Sequence, residues 1–258
     1  MALLSISNLC LGYGEKEIFS SINAVEDQGQ LIALLGSNGR GKSTLLRTVA
    51  GLEEIWNASG QGEILYEGKP LKDYSRKEIS SLVSFVSPLS QRAGYLKVRD
   101  FVGINSYFRT NWLGMTDSEE EKRIGQALEM VALSGFEDRY CTSLSDGEFQ
   151  RATIAGALVQ DSRIILLDEP TAFLDVANKF LITRLLKKIA VESGKLIIFS
   201  THDLQLSLQM CSRLWVMTSE GFFSGEASDI IANGKIEKMF DVEGVRFDKE
   251  KMMFVPDI

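Results

Sequence analysis

The stretch Gly36–Thr44, GSNGRGKST, fits the pattern G-x-x-x-x-G-K-[ST] without a mismatch. Leu31–Leu35 before it is an apolar run of strand length, and Leu45, Leu46, Val49, Ala50 and Leu52 after it recur at helical spacing. Strand, glycine-rich loop and helix in that order are the setting a phosphate-binding loop requires. Gly36, Gly39 and Gly41 let the backbone curl, so that successive N–H groups between Ser37, Asn38 and Thr44 face one anion. The helix start adds its own free N–H groups and its dipole. Lys42 is placed to neutralise the outer phosphates of a nucleoside triphosphate, and Ser43 to offer a hydroxyl to Mg²⁺. The plainer alternative is a glycine turn followed by lysine; the full pattern in its strand–helix context weighs against it. The loop demands an α/β fold with a buried strand leading into it.

At 258 residues the chain can bury a full core, and 45% hydrophobic with 24% charged residues is ordinary for a globular protein. The net charge of -7 argues against nucleic acid as the main ligand, because a phosphate backbone wants a basic face. Cys10, Cys141 and Cys211 lie far apart with no C-x-x-C, and read as buried apolar residues of a reducing compartment. Met1–Leu4 is followed at once by Ser5 and Asn8, unlike a secretion signal. No apolar run approaches the roughly 18 residues that span a bilayer. The expected location is the cytosol, or the cytosolic face of a membrane held there by a partner.

Along the chain, 3–9 and 17–25 read as strands of an antiparallel flap, with Tyr13 on the glycine turn between them. An exposed ring at a nucleotide site could stack on adenine, although alone it is a turn tyrosine. Glu63–Tyr66 reads as a strand, Asp73–Ser80 as a short helix, and Leu82–Val86 as a buried strand stopped by Ser87 and Pro88. From about 90 to 160 the strand-like runs vanish. Val98–Tyr107 and Ser118–Ser134 read as helices; Ile124, Leu128, Val131 and Ala132 share one face of the second, with Glu119–Arg123 opposite as a solvated face. This block reads as a helical insertion in an α/β core. The core resumes with Ile164–Leu167, a helix over Asn178–Glu192, and the strands Leu196–Ser200 and Leu214–Met217. The last thirty residues form a small appended region.

Asp168 and Glu169 follow an apolar strand. An aspartate there can hold Mg²⁺, and a glutamate one residue on can polarise an attacking water. With the order of motifs now complete, the chain resembles the ATP-binding cassette (ABC) ATPases over nearly its whole length. Leu144–Glu148 (LSDGE) stands where that family has L-S-G-G-Q, Ile164–Glu169 matches the Walker B strand with its catalytic glutamate, and Thr171–Asp175 resembles the D-loop. His202, the single histidine, matches the switch histidine, and Tyr13 the adenine-stacking aromatic.

The resemblance implies a P-loop NTPase (RecA-like) core with an antiparallel β flap and an inserted α-helical subdomain. The expected division is 1–89 and 160–240 for the nucleotide-binding core, 90–159 for the helical subdomain with the signature, and 241–258 for a C-terminal appendage. It further implies a head-to-tail dimer in which the loop of one copy and Ser145 and Gly147 of the other clamp one ATP, with Mg²⁺. Ser145 also reads as a plain N-cap, and the two roles are compatible. Two departures stand out. Asp146 replaces a glycine and Glu148 a glutamine, both residues that a helix dipole favours in a first turn. In the Q-loop, the aligned position is Pro88 and Gln91 comes three residues late, so either the loop is reshaped for Gln91 to reach Mg²⁺ or that contact is absent.

One cassette without a membrane span resembles the separate ATPase subunit of a bacterial importer, peripheral on the cytoplasmic face of the inner membrane. Its implied partners are transmembrane permease subunits and, indirectly, a periplasmic substrate-binding protein. Within importers, Tyr107–Gly114 and Ser200–Leu204 are similar to segments of the iron-siderophore, haem and cobalamin group. The alternative is a single-cassette ATPase that acts in iron–sulfur cluster assembly. Action on DNA or ribosomes fits the acidic charge poorly.

Overall fold

Apolar runs punctuated by glycine and serine become strands, and runs at helical spacing become the helices laid over them. The computed structural model describes residues 2–56, 62–87, 95–105, 118–239 and 244–256. It begins with the antiparallel pair β1 (Leu4–Tyr13) and β2 (Lys16–Glu26). Then come β3 (Leu31–Gly36), α1 (Lys42–Val49), β4 (Glu63–Tyr66), β5 (Lys69–Pro70), α2 (Arg76–Leu82) and β6 (Val83–Val86). Three helices follow: α3 (Val98–Gly103), α4 (Ser118–Met130) and α5 (Asp146–Val159). The α/β pattern returns with β7 (Ile164–Leu167), α6 (Val176–Ser193), β8 (Leu196–Ser200), α7 (Leu204–Met210) and β9 (Arg213–Met217). β10 (Phe222–Glu226), α8 (Ala227–Ala232) and the hairpin β11 (Val245–Asp248) and β12 (Met253–Pro256) complete the described chain.

The main sheet has the order β10-β9-β3-β8-β7-β6, parallel except for the edge strand β10. A parallel sheet is covered on both faces, which explains why β3, β7 and β8 are apolar without alternation. Ile32, Leu34, Ile164, Leu166, Leu196 and Ile198 point into one core shared with α1 and the flap. Their neighbours Ala33, Leu35, Ile165, Leu167, Ile197 and Phe199 point into a second core, under α3 to α6. The flap is a separate antiparallel sheet, β2-β1-β4-β5. Glu26 joins it to the main sheet: its buried carboxylate accepts from Trp215 Nε1 at 2.8 Å and Arg213 Nε at 2.7 Å. A buried carboxylate is tolerable only with such partners.

Several expectations are corrected. α4 stops at Met130; Ala132 turns out at φ 56° and is exposed, so it does not share the buried stripe of Ile124, Leu128 and Val131. Glu120 is only 5% exposed, so the run Glu119–Arg123 is not uniformly solvated. Cys141 and Cys211 are buried, but Cys10 is only half-buried and its thiol faces Asn8 O. Tyr13 is the last residue of β1, paired with Lys16, and the turn is Gly14–Glu15. In the final hairpin, Phe247 is buried in the helical-side core and packs edge-on against Phe254. Pro88, Gln91 and Tyr107–Gly114 lie outside the described residues.

Candidate nucleotide site

In an open parallel sheet, ligands bind beyond the carboxyl ends of the strands. Three neighbouring strand ends converge here. β3 runs into the loop Gly36–Thr44, β7 into Asp168 and Glu169, and β8, which lies between them, into Thr201 and His202. Residues far apart in sequence meet because their strands are adjacent.

The loop runs into a helix start that no side chain caps. The N-cap of α1 is Gly41, at φ 95°. A Cβ on Gly41 would come within 3.0 Å of Ile18 Cγ2, so both conformation and space demand glycine. An uncapped helix start is a ready anion site. Lys42 is 5% exposed, and its Nζ donates to Gly36 O at 2.8 Å and Ser37 O at 3.2 Å. Burial pushes the Lys42 ammonium below its usual range; the carboxylates of Glu169 and Asp168 push the other way and offset only part of this. A phosphate placed against Nζ would add to that pull and favour the charged ammonium. Asn38, Gly39 and Ser43 are exposed, while Ser37 and Thr44 are half-buried.

The carboxylates are held by the neighbouring strand. Asp168 is 2% exposed, and its Oδ1 accepts from Ser200 Oγ at 2.6 Å. The Glu169 N–H donates to the same Ser200 Oγ at 2.8 Å, with Glu169 in the left-handed region at φ 50°. Glu169 Oε1 meets His202 Nε2 directly. A carboxylate against an imidazole beside a phosphate loop can accept a proton from water and be oriented while doing so. Asp168 and Ser43 offer oxygen donors only, the hard set that suits Mg²⁺.

Tyr13 is 55% exposed, and its hydroxyl bonds Thr44 Oγ1 at 3.1 Å and Glu53 Oε2 at 3.0 Å. This ties the aromatic to the phosphate loop and leaves its ring accessible. Trp56 lies against Gly12 and donates from Nε1 to Gly14 O at 2.8 Å, holding the turn beyond Tyr13. The sequence reading missed Glu53, Trp56 and Ser200. The available signal for Ser200 was a lone hydroxyl closing the apolar strand LIIFS.

Ser145 and Gly147 belong to the helical layer. Ser145 is the N-cap of α5: its Oγ accepts from Glu148 N at 3.3 Å, and its own N–H donates to Glu148 Oε2 at 2.8 Å. This capping box explains the glutamate. The Ser145 N–H and hydroxyl hold the Glu148 carboxyl below the usual carboxylate range. Gly147 is buried against Asn178 at the start of α6, where a Cβ would sit 2.8 Å from Oδ1. Asn178 in turn donates to Asp175, so the signature and the D-loop abut.

The ABC transporter family profile matches residues 19–172. The petrobactin import ATP-binding protein FpuC of Bacillus anthracis is 29% identical over 98% of this chain and 93% of its own. A probable siderophore transport system ATP-binding protein, YusV of Bacillus subtilis, is 31% identical over 94% of this chain and 87% of its own. Among solved structures, an inward-facing metal-chelate type ABC transporter superposes with a TM-score of 0.80 at 27% identity, covering 99% of this chain and 96% of the other. CbiO1 of Clostridium perfringens, part of the cbiONQ complex, gives 0.77 at 30% identity, covering 91% and 92%. Similarity along the full length of import ATPases, on a fold whose strand ends gather a lysine, two carboxylates and a histidine, has one reading: the chain belongs to the ABC transporter family, as an ATP-binding and ATP-hydrolysing member.

Proposed function

We propose that this chain is the ATPase subunit that energises uptake of an iron-siderophore, haem or cobalamin type substrate through a separate permease. The observation that carries the reading is end-to-end similarity to a petrobactin import ATPase, together with a petrobactin-independent feature, the loop-and-carboxylate cluster at the strand ends. The same similarity favours import over iron–sulfur cluster assembly.

In this reading Gly36, Ser37, Asn38, Gly39, Gly41 and Thr44 cradle the phosphates of ATP, and Tyr13 stacks on adenine. Lys42 exchanges the carbonyls of Gly36 and Ser37 for phosphate oxygens. Ser43 and Asp168 hold Mg²⁺, which when bound neutralises charge on the outer phosphates. Glu169 accepts a proton from water as that water attacks the γ-phosphorus and the bond to the β–γ bridging oxygen breaks. His202 keeps the carboxylate aimed. Ser145 and Gly147 of a second copy close on the γ-phosphate, so the active form is a head-to-tail homodimer.

Among the described residues no helix is long and apolar enough to cross a membrane. In this reading the chain docks from the cytoplasmic side on permease subunits, as an import ATPase of this kind would, and the permease receives substrate from a periplasmic binding protein. Residues 1–89 and 160–240 act as the nucleotide-binding core, 90–159 as the helical subdomain and 241–258 as an appendage. The test is affinity purification from detergent-solubilised membranes. Recovery with a many-span permease supports import; recovery with cluster-assembly proteins alone contradicts it.

A further inference from the structure

Ser200 is the last residue of β8, 0% exposed, and the only polar side chain in Leu196–Ser200. A buried hydroxyl needs partners, and its partners here are the two residues assigned to metal and water. The directions are fixed by chemistry. The Glu169 backbone N–H can only donate, so Ser200 Oγ accepts it at 2.8 Å. The Ser200 proton then goes to Asp168 Oδ1, 2.6 Å away, in a short charge-assisted bond. Glu169 sits in the left-handed region, a backbone state that non-glycine residues keep only when their surroundings hold them there. Ser200 is also in register with Leu34 of β3, and the next N–H, of Thr201, donates to Leu34 O at 3.1 Å. The Ser200 side chain therefore ties the end of the carboxylate strand to β8, whose backbone is paired with the strand that feeds the phosphate loop.

The geometry points to Ser200 as a positioning residue of the ATPase: its hydroxyl fixes the Asp168 carboxylate and the Glu169 backbone relative to each other, so that metal and attacking water are aligned. The inference rests on the proposed roles of Asp168 and Glu169.

The test compares full-length Ser200→Thr and Ser200→Val, which are nearly isosteric and differ in the hydroxyl, with Ser200→Ala as a second hydroxyl-free variant. The readouts are kcat and KM for ATP, Mn²⁺ affinity of the ATP-loaded protein by electron paramagnetic resonance, ATP affinity in EDTA, and the thermal midpoint. Loss of an outer-shell partner typically costs about 10–100-fold in metal affinity or activity. Ser200→Val and Ser200→Ala are expected to lower kcat and Mn²⁺ affinity by about tenfold or more, with ATP affinity in EDTA unchanged. Ser200→Thr is expected to restore both. Wild-type kcat and Mn²⁺ affinity in Ser200→Val overturn the inference. So does a Ser200→Thr variant as impaired as Ser200→Val, which assigns the loss to packing, or failure of both hydroxyl-free variants to fold, which assigns the hydroxyl to stability. Glu169→Gln is measured in parallel. If it turns over ATP normally, the site reading itself fails; if it is inactive while Ser200→Val is normal, only the role of Ser200 falls.

Discussion

The strand-end cluster and the start of α5 both present groups suited to phosphate, yet they are built in opposite ways. Around Lys42, Asp168 and Glu169, the groups come from the ends of three strands: Lys42 lies more than a hundred residues before the carboxylates, and Ser200 and His202 lie about thirty after them. Lys42 and Asp168 are buried, and burial outweighs the nearby carboxylates in holding the Lys42 ammonium below its usual range. At Ser145 the capping is local: one turn of helix satisfies its own first donors through the Ser145–Glu148 pair. The first needs the whole fold to exist, whereas the capping box of the second needs four consecutive residues. This explains why the second tolerates departures from the family pattern. Asp146 and Glu148 are acceptable because helix-start chemistry favours acids.

The contrast predicts unequal consequences. Lys42→Ala removes the only cation among the cluster's described groups that touches the loop carbonyls; ATPase activity is expected to fall at least ~100-fold, the scale of losing one preorganised phosphate donor, read by phosphate release. Activity within a fewfold of wild type would break the claim that the loop is the working half. Trp56→Ala removes the bond to Gly14 O and the support of the Tyr13 turn. A net hydrogen bond of ~1 kcal/mol with some lost packing corresponds to about 5–10-fold weaker ATP binding, measured by titration with a fluorescent ATP analogue. Glu148→Ala should lower the thermal midpoint by about 2–4 °C through a lost cap of ~1 kcal/mol, while Glu148→Gln, which can rebuild the capping box, should shift it less. Equal shifts would show that charge rather than the box matters. Asp146→Gly should leave ATP affinity within about twofold if the acid serves the helix dipole; markedly tighter binding would mean that Asp146 faces the phosphate.

Where one periodicity dominates, the sequence was readable. Leu31–Gly36, Ile164–Leu167 and Leu196–Ser200 are strands because unbroken apolar runs of that length fit only a sheet covered on both faces, and Gly36–Thr44 carries its context with it. The errors fall where a tertiary neighbour decides. The stripe Ile124, Leu128, Val131 looked open to Ala132, but the helix had already ended. Glu120 looked solvated in a run of charges. Cys10 looked like core because cysteines usually are. The roles of Trp56 and Glu53 depend on where a loop folds back over β1, which no local pattern encodes. Ser200 was visible as a residue, but its meaning arises only when β8 is placed between β3 and β7.

The central claim is that each chain carries two unlike halves of an ATP site, completed only by a second copy. Glu169→Gln tests this directly, because it stops hydrolysis and leaves the binding groups intact. Light scattering with saturating ATP should show Glu169→Gln as a dimer that reverts to monomer without ATP, and Glu169→Gln combined with Ser145→Arg should remain monomeric. A Glu169→Gln protein that stays monomeric with ATP bound, or whose dimer is indifferent to Ser145→Arg, would contradict the account.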